Sequence, residues 1–460
     1  MHTIMRIGLV FVLAMALMSG RVLLAQDEGK SAVEVIPDES ENKALTLETR
    51  VKELEEKLAA LEKKAEENEI EKLKAEAESE ANEAETAEEE VTVFSSGARA
   101  LQALNPEISI TGDFLGRVYI NDEVKKPFRG GKPDEEGNYH SSDSELSGFE
   151  MRTIGLSLQS NLDPYAFTKV IIGIHGGEFH LGEAYLTWTG ISPRMNLTVG
   201  KFRQLFGVIN RWHEHALDQV DFPKPITEFF GDGGLNQVGM SLRVLLPRMW
   251  AHANELTVQV TNAGNSALFA GEFWSVPSVL GHLKSYYDLN KTTYLELGLS
   301  GIWGFNNKRS YPLENEQTGQ VEIKDDPWRS TVVSGADLTI AWEPLDMAKY
   351  RWVVWRTQAM YYYKQTKDGT IHAMGGFTYL DIRVNQIMVM GFRIDAGQQP
   401  VLSGPDMYVQ AAPYITFWQS PWVKLRCQYN YLWLSGGREP EHVVTFQVGW
   451  AAGPHKHEKY

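Results

Sequence analysis

The sequence predicts an all-β transmembrane protein: an antiparallel outer-membrane barrel of about sixteen strands, with a periplasmic coiled-coil helix ahead of it. Three observations predict this. Hydrophobicity alternates with a period of two from residue 108 to residue 450, so each segment offers one apolar and one polar face. The connections alternate between short and long, which sorts turns to one end of a barrel and loops to the other. Trp188, Trp342, Trp418, Trp433 and Trp450 fall near segment ends, where amphipathic rings suit a membrane interface.

The N-terminus comes first in chain order. Residues 1–25 read as a secretory signal peptide, with Arg6 ahead of an apolar run too short to span a bilayer and a cut after Ala25. No later run is apolar enough for a transmembrane helix. Residues 26–90 form an acidic arm. Within it Leu47, Val51, Leu54, Leu58 and Leu61 alternate at spacings of four and three, a coiled-coil seam whose strand number the residues do not fix. An Ala/Glu tract follows as a solvated spacer. Residues 91–107 link the arm to the barrel, and residues 451–460 form a tail placed in the periplasm with the arm.

Net charge is −16, but most of it lies in the arm and linker, residues 26–107, where about 24 acidic residues face about 10 basic ones. The remainder of the chain is close to balanced, which gives no electrostatic footprint for nucleic acid. Cys427 is the one cysteine, so no intrachain disulfide staples an exported chain.

The barrel segments start near Ile108, Gly148, Ala166, His180, Met195, Gln237, Asn254, Leu280, Thr292, Ser330, Tyr350, His372, Ile387, Asp406, Trp422 and Glu441. In the stretch from Trp422 to Trp433, Lys424, Arg426, Gln428 and Asn430 alternate with Val423, Leu425, Cys427, Tyr429 and Tyr431. The apolar set is expected to meet lipid. The charged set is expected to meet a water-filled lumen, where hydration keeps Lys424 and Arg426 tolerable at membrane depth. Only closure of the sheet leaves no backbone group unpaired in hydrocarbon.

Parity places basic Arg117, Lys169, Arg243, Arg383, Arg393, Lys424 and Arg426 in the lumen. It places acidic Asp113, Glu183, Glu255, Glu296, Asp337, Asp381 and Asp395 there too. A mixed lumen argues against strong global charge selection, although local rings near a constriction decide selectivity. Lys201 and Arg203 share parity with Leu197 and Val199 and are expected at the rim.

The connection over residues 204–236 is too long and aromatic for a simple surface loop. Folded inward, it would narrow the pore and present Arg211, His213, His215 and Lys224 to solutes. Folded outward, it would cap the barrel or meet a neighbouring subunit. His213, Glu214 and His215 lack the H-E-x-x-H spacing of a metal site, and Gly231 to Gly234 lacks the lysine of a phosphate loop, so no metal or cofactor is expected. No segment brings a nucleophile and base to one face, which argues against an enzyme.

The stretch VGKFRQLFG, Val199 to Gly207, followed by the long Pro-containing loop, resembles the signature of the phosphate-selective porin O/P-like family. The resemblance implies a sixteen-stranded trimeric channel whose third loop folds inward and which passes small anions. Together these readings give an outer-membrane porin for small hydrophilic solutes, its partners being membrane lipid and two further copies. The other reading is an anchor whose coiled coil tethers the membrane to peptidoglycan or a periplasmic partner.

Overall fold

The computed structural model describes residues 106–120, 147–175, 178–270, 276–314, 321–345, 347–348, 350–402, 406–437 and 439–453. The expected signal peptide, the acidic arm with its Leu47, Val51, Leu54, Leu58 and Leu61 seam, and residues 454–460 of the tail lie outside the described residues.

Sixteen strands close into one antiparallel barrel. The first nine are β1 (Glu107–Tyr119), β2 (Gly148–Asp163), β3 (Ala166–His175), β4 (Glu178–Ser192), β5 (Met195–Arg203), β6 (Asn236–Leu246), β7 (Ala253–Thr261), β8 (Ser278–Asn290) and β9 (Thr293–Phe305). A separate hairpin follows, β10 (Ser310–Glu314) with β11 (Val321–Asp325). The barrel resumes with β12 (Ser330–Trp342), β13 (Trp352–Gln365), β14 (Thr370–Arg383), β15 (Met388–Gln398), β16 (Met407–Ser420), β17 (Val423–Leu434) and β18 (Glu441–Ala452). Each barrel strand begins within two residues of its expected start. The β10–β11 hairpin gives regular structure to the long connection between β9 and β12.

Closure is made by β1 against β18, in register from Ile110 opposite Ala452 to Tyr119 opposite Val443. Every barrel strand thus has two partners, so no row of N–H and C=O groups is left open to hydrocarbon. Among the described residues no helix is long and apolar enough to cross a membrane; the strands do the crossing.

The distribution of side chains is inverted relative to a water-soluble protein. Val238, Met240, Val260 and Leu299 are exposed on the outer face, Leu299 by 59%, while Gln428, Gln447, Thr331 and Arg393 are buried on the inner face. Lipid as the outer solvent accounts for this; water does not. Trp188, Trp342 and Trp433 are exposed at strand ends, and Trp450 lies across Gly112, where an added Cβ would collide with its indole. Trp418 differs from the expected belt. It pairs with Lys424 and so faces inward, with the Lys424 ammonium 5.9 Å from its ring centroid.

The core is inside the barrel. Phe206, Ile209, Trp212, Leu217, Phe222, Ile226, Phe229, Phe230 and Leu235 of the β5–β6 connection pack against Leu280, Ile302, Val333, Met360, Tyr362, Phe377 and Tyr379 of the wall. Within this connection a short helix, α1 (Lys224–Phe230), starts with proline in its first turn and stops at Gly231, whose φ is 81°. Proline lacks only an N–H that the first turn cannot use, and glycine takes a positive φ without strain.

Candidate functional site

The β5–β6 connection enters the lumen from a clamped base. Asn210 Nδ2 donates to the carbonyls of Gln204 (2.7 Å) and Leu235 (3.0 Å), and Asn210 Oδ1 accepts from Leu235 N at 2.8 Å. Both ends of the loop are therefore held by one side chain. Arg203, expected at the rim, is instead buried here. Its Nη1 donates to the carbonyls of Asn210 and Gly233, both at 3.2 Å, and its guanidinium lies over Phe222. At Gly207 the backbone turns with φ 61° and its N–H donates to Ser300 Oγ at 2.9 Å; a Cβ there would strike the Gln358 amide.

Beyond the base, three wall arginines meet three loop carboxylates. Arg356 Nη1 lies 3.0 Å from Asp218, Arg393 Nη2 lies 3.1 Å from Asp221, and Arg152 Nε lies 3.4 Å from Glu214. Arg393 and Arg152 also hold wall carboxylates, Asp395 at 3.1 Å and Asp113 at 3.0 Å. Arg426 donates to the carbonyls of Leu217 (2.9 Å) and Gln219 (2.6 Å), and Lys424 donates to that of His215. A buried charge is tolerated when pairing or hydrogen bonds replace its hydration: Arg152, Arg356 and Arg393 are paired, and Arg426 and Lys424 are held by carbonyls. The polar face of β17 therefore meets folded protein, not the water expected from the sequence. Cys427 lies on the opposite face, half-buried.

The other inward residues are placed as follows. Glu183 accepts from Arg203 N at 2.9 Å and contacts His213 Nε2 at 3.1 Å. Lys169 and Asp337 are buried, and Asp381 accepts from Tyr414 OH at 2.6 Å. Arg117 pairs with Glu150 at 2.9 Å. Arg383 turns to the carbonyls of Asn385 and Gln386 in the β14–β15 turn. Of the four loop residues, His213 sits against Glu183, and His215 stacks on His213 with centroids 5.6 Å apart. Lys224 Nζ lies 3.4 Å from Glu228, and its backbone N–H donates to Asp395 at 3.1 Å.

Arg211 lines open space. Two adjoining cavities of about 230 and about 430 Å³ share Leu205, Arg211 and Arg243. The smaller is lined by Tyr185, Thr187, Asn196, Thr198, Ser241, Thr257 and Gln259. The larger is lined by Glu255, Lys284, Tyr286 and Glu296. Here Arg243 pairs with Glu255 at 3.3 Å and Lys284 with Glu296 at 2.9 Å.

Burial shapes the charges on the loop itself. It holds the His213 imidazole below its ordinary pKa, against the opposing pull of Glu183, so the ring is neutral at pH 7. Burial pushes the Glu228 carboxyl up despite Lys224. At Asp221 burial acts in the same upward direction, but Arg393 and Gln428 outweigh it and hold the carboxyl below its usual range.

Sequence parity missed Arg152, Arg356, Asp218 and Asp221. Arg356 shares its inward parity with Gln358 and was open to the same reasoning. Arg152 was not, because the β1–β2 register shifts at Asp113 and Phe114 and re-aims it. Asp218 and Asp221 lie in irregular chain, where no period reports direction.

No family model matches the chain. A relative from Aquifex aeolicus (strain VF5), described as an uncharacterized protein, is 25% identical over 305 residues, covering 62% of this chain and 60% of the relative. The match thus spans less than two thirds of that protein. Among solved structures, OprB of Pseudomonas putida is similar with a TM-score of 0.50 and 11% identity, over 78% of this chain and 97% of OprB. An anion-selective porin from Comamonas acidovorans gives a TM-score of 0.47 at 10% identity, over 76% of this chain and 100% of that one. The outer membrane channel DcaP of Acinetobacter baumannii gives 0.46 at 12%, over 76% and 97%. At 11% identity the likeness to OprB is one of fold, and the fold is an outer-membrane β-barrel.

Proposed function

We propose that the protein is a porin through which small hydrophilic solutes diffuse along the β3–β9 side of the lumen, past Arg211 and Arg243. The observation that carries this reading is the one-sided grip on the inward loop's carboxylates. Its carboxylates are gripped by arginines of β2, β13 and β15, while the cavities it leaves border β3 to β9. A loop anchored at both ends and paired along its length narrows a channel without having to open.

Arg211 from the loop and Arg243 from β6 border the same space, which favours small anions such as phosphate at that point. Glu255 and Glu296 lie close by and temper the preference. The Val199 to Gly207 signature supports a place among the O/P-like porins, and with it a trimer whose arm and tail lie in the periplasm.

The test is conductance in planar bilayers from the purified full-length protein. Discrete steps are expected, with a reversal potential in a KCl gradient displaced toward chloride. Replacing Arg211→Glu together with Arg243→Glu should move that potential toward potassium. Silence at every voltage would refute a passage, and a double variant with unchanged reversal would take both arginines out of it.

A further inference from the structure

The outer wall carries two copies of one polar cluster. In the β13–β14 hairpin, Tyr361 OH lies 2.7 Å from His372 Nδ1, and Tyr363, directly across from His372, packs edge-on to the imidazole at 5.3 Å. In the β17–β18 hairpin, Tyr429 OH lies 2.6 Å from His442 Nδ1, and Tyr431, directly across from His442, packs edge-on at 5.2 Å. Both are a Tyr-x-Tyr on one strand facing a histidine near the start of the next. Both histidines alternate with inward neighbours, Ile371 and Ala373 in one strand and Glu441 in the other, so both point out of the barrel.

Their height is equivalent as well. Each follows a connection at the same end of the barrel, the end that carries the β5–β6 loop. The outward Trp303, near the end of β9, and Trp433, near the end of β17, mark the membrane interface there. Apolar wall at this level needs no imidazole, and tyrosine alone serves as a belt residue.

The hydrogen bond sets the chemistry. A phenol O–H is a better donor than a neutral imidazole N–H, and an imidazole nitrogen is a better acceptor than a phenol oxygen. Tyr361 and Tyr429 therefore donate to Nδ1, which leaves the proton on Nε2. No described protein group accepts from Nε2 of either ring. Each cluster thus presents one oriented N–H donor, framed by two phenol rings, at the height of lipid headgroups.

We propose that each Tyr–His–Tyr cluster binds the phosphate of a membrane lipid headgroup. The phosphate oxygen accepts from Nε2–H, and the paired tyrosine rings border the first carbons of the acyl chains. A hydrogen bond to an ionised acceptor is stronger than one to a neutral acceptor. Two hairpins separated by β15 and β16 would hold two lipids on the same rim. This reading stands on the fold alone and is independent of what passes through the lumen.

Native mass spectrometry of the full-length protein, taken from mixed bilayers of phosphatidylglycerol and a phosphate-free galactolipid, tests it. The wild type should retain phosphatidylglycerol selectively. His372→Phe with His442→Phe should lower that retention on the order of tenfold per site. His372→Gln with His442→Gln, whose amide nitrogen can stand near the position of Nε2, should recover most of it; a merely structural histidine would show no such split. Equal retention by the Phe double variant, or equal retention of galactolipid by the wild type, would overturn the proposal. So would binding of inorganic phosphate to these histidines with no lipid retained.

Discussion

Two sides of the same barrel treat charge in opposite ways. On the side from β13 round to β2, the wall pairs where the loop is seated are dry: Arg393 and Asp395 are both 0% exposed, and Arg152 and Asp113 are 8% and 2% exposed. On the side from β3 to β9 the pairs that border the cavities stay wet, with Arg243 and Glu255 exposed by 41% and 29%, and Lys284 and Glu296 by 41% and 21%. Strand, parity and residue type are alike on both sides. The difference is the loop over residues 204–235, whose carboxylates are held from one side and which leaves open cavities along part of the other. The same arginine-carboxylate chemistry thus fastens a loop where it is desolvated and lines a passage where it is hydrated.

Breaking the dry side should cost most. Arg393→Met leaves Asp221 and Asp395 without their cation, and removing one partner of a buried pair costs about 3–5 kcal/mol. The denaturation midpoint in detergent should fall accordingly; a midpoint equal to wild type would mean that the loop is not seated through Asp221. Crowding the seat comes next. A Cβ at Gly375 already meets Pro225 at 3.1 Å and Phe229 at 3.2 Å. Gly375→Leu should therefore displace α1 at a cost of about 1–3 kcal/mol and expose the loop to protease. Gly281→Leu, where an added Cβ has open space, should leave cleavage at the wild-type rate.

Acid should loosen the dry side by a smaller amount. The folded pKa of His213 lies below its ordinary value of 6.5, so its contribution is intact above 6.5 and is lost as pH falls through the folded value. Thermal midpoints taken from pH 7 downward should decline, and His213→Gln should flatten the part of that decline due to this ring. If the variant and wild type trace parallel curves, His213 is not the titrating group. The wet side should barely register in stability. Lys284→Gln breaks a pair that is partly exposed, so its cost should stay below about 1 kcal/mol while conductance changes. A large fall in stability there would erase the contrast between the two sides.

The wall was legible because a strand in lipid must alternate. Val238, Met240 and Leu242 against Ser241 and Arg243 need no partner to reveal which way they face, and the β17 pattern from Val423 to Trp433 reads the same way. Lys424 and Arg426 were placed on the correct face but given the wrong neighbour. Parity reports direction, not what fills the space in that direction. Arg152 escaped because a bulge breaks the period, and Asp218 and Asp221 because their loop has none. Arg203 was misplaced for a related reason: the alternation of β5 ends where the loop begins, and tertiary contacts take over.

By itself the sequence determined a closed, lipid-solvated barrel, the strand boundaries and the inner and outer faces. Those follow from a two-residue repeat and from the need to pair every backbone group in hydrocarbon, both local properties of each hairpin. Only the tertiary structure decided which charges are buried and which border open space. That depends on where one irregular segment comes to rest among residues as far as 209 positions away, as when Arg426 reaches Leu217. Contacts of that kind carry no period for a sequence to display.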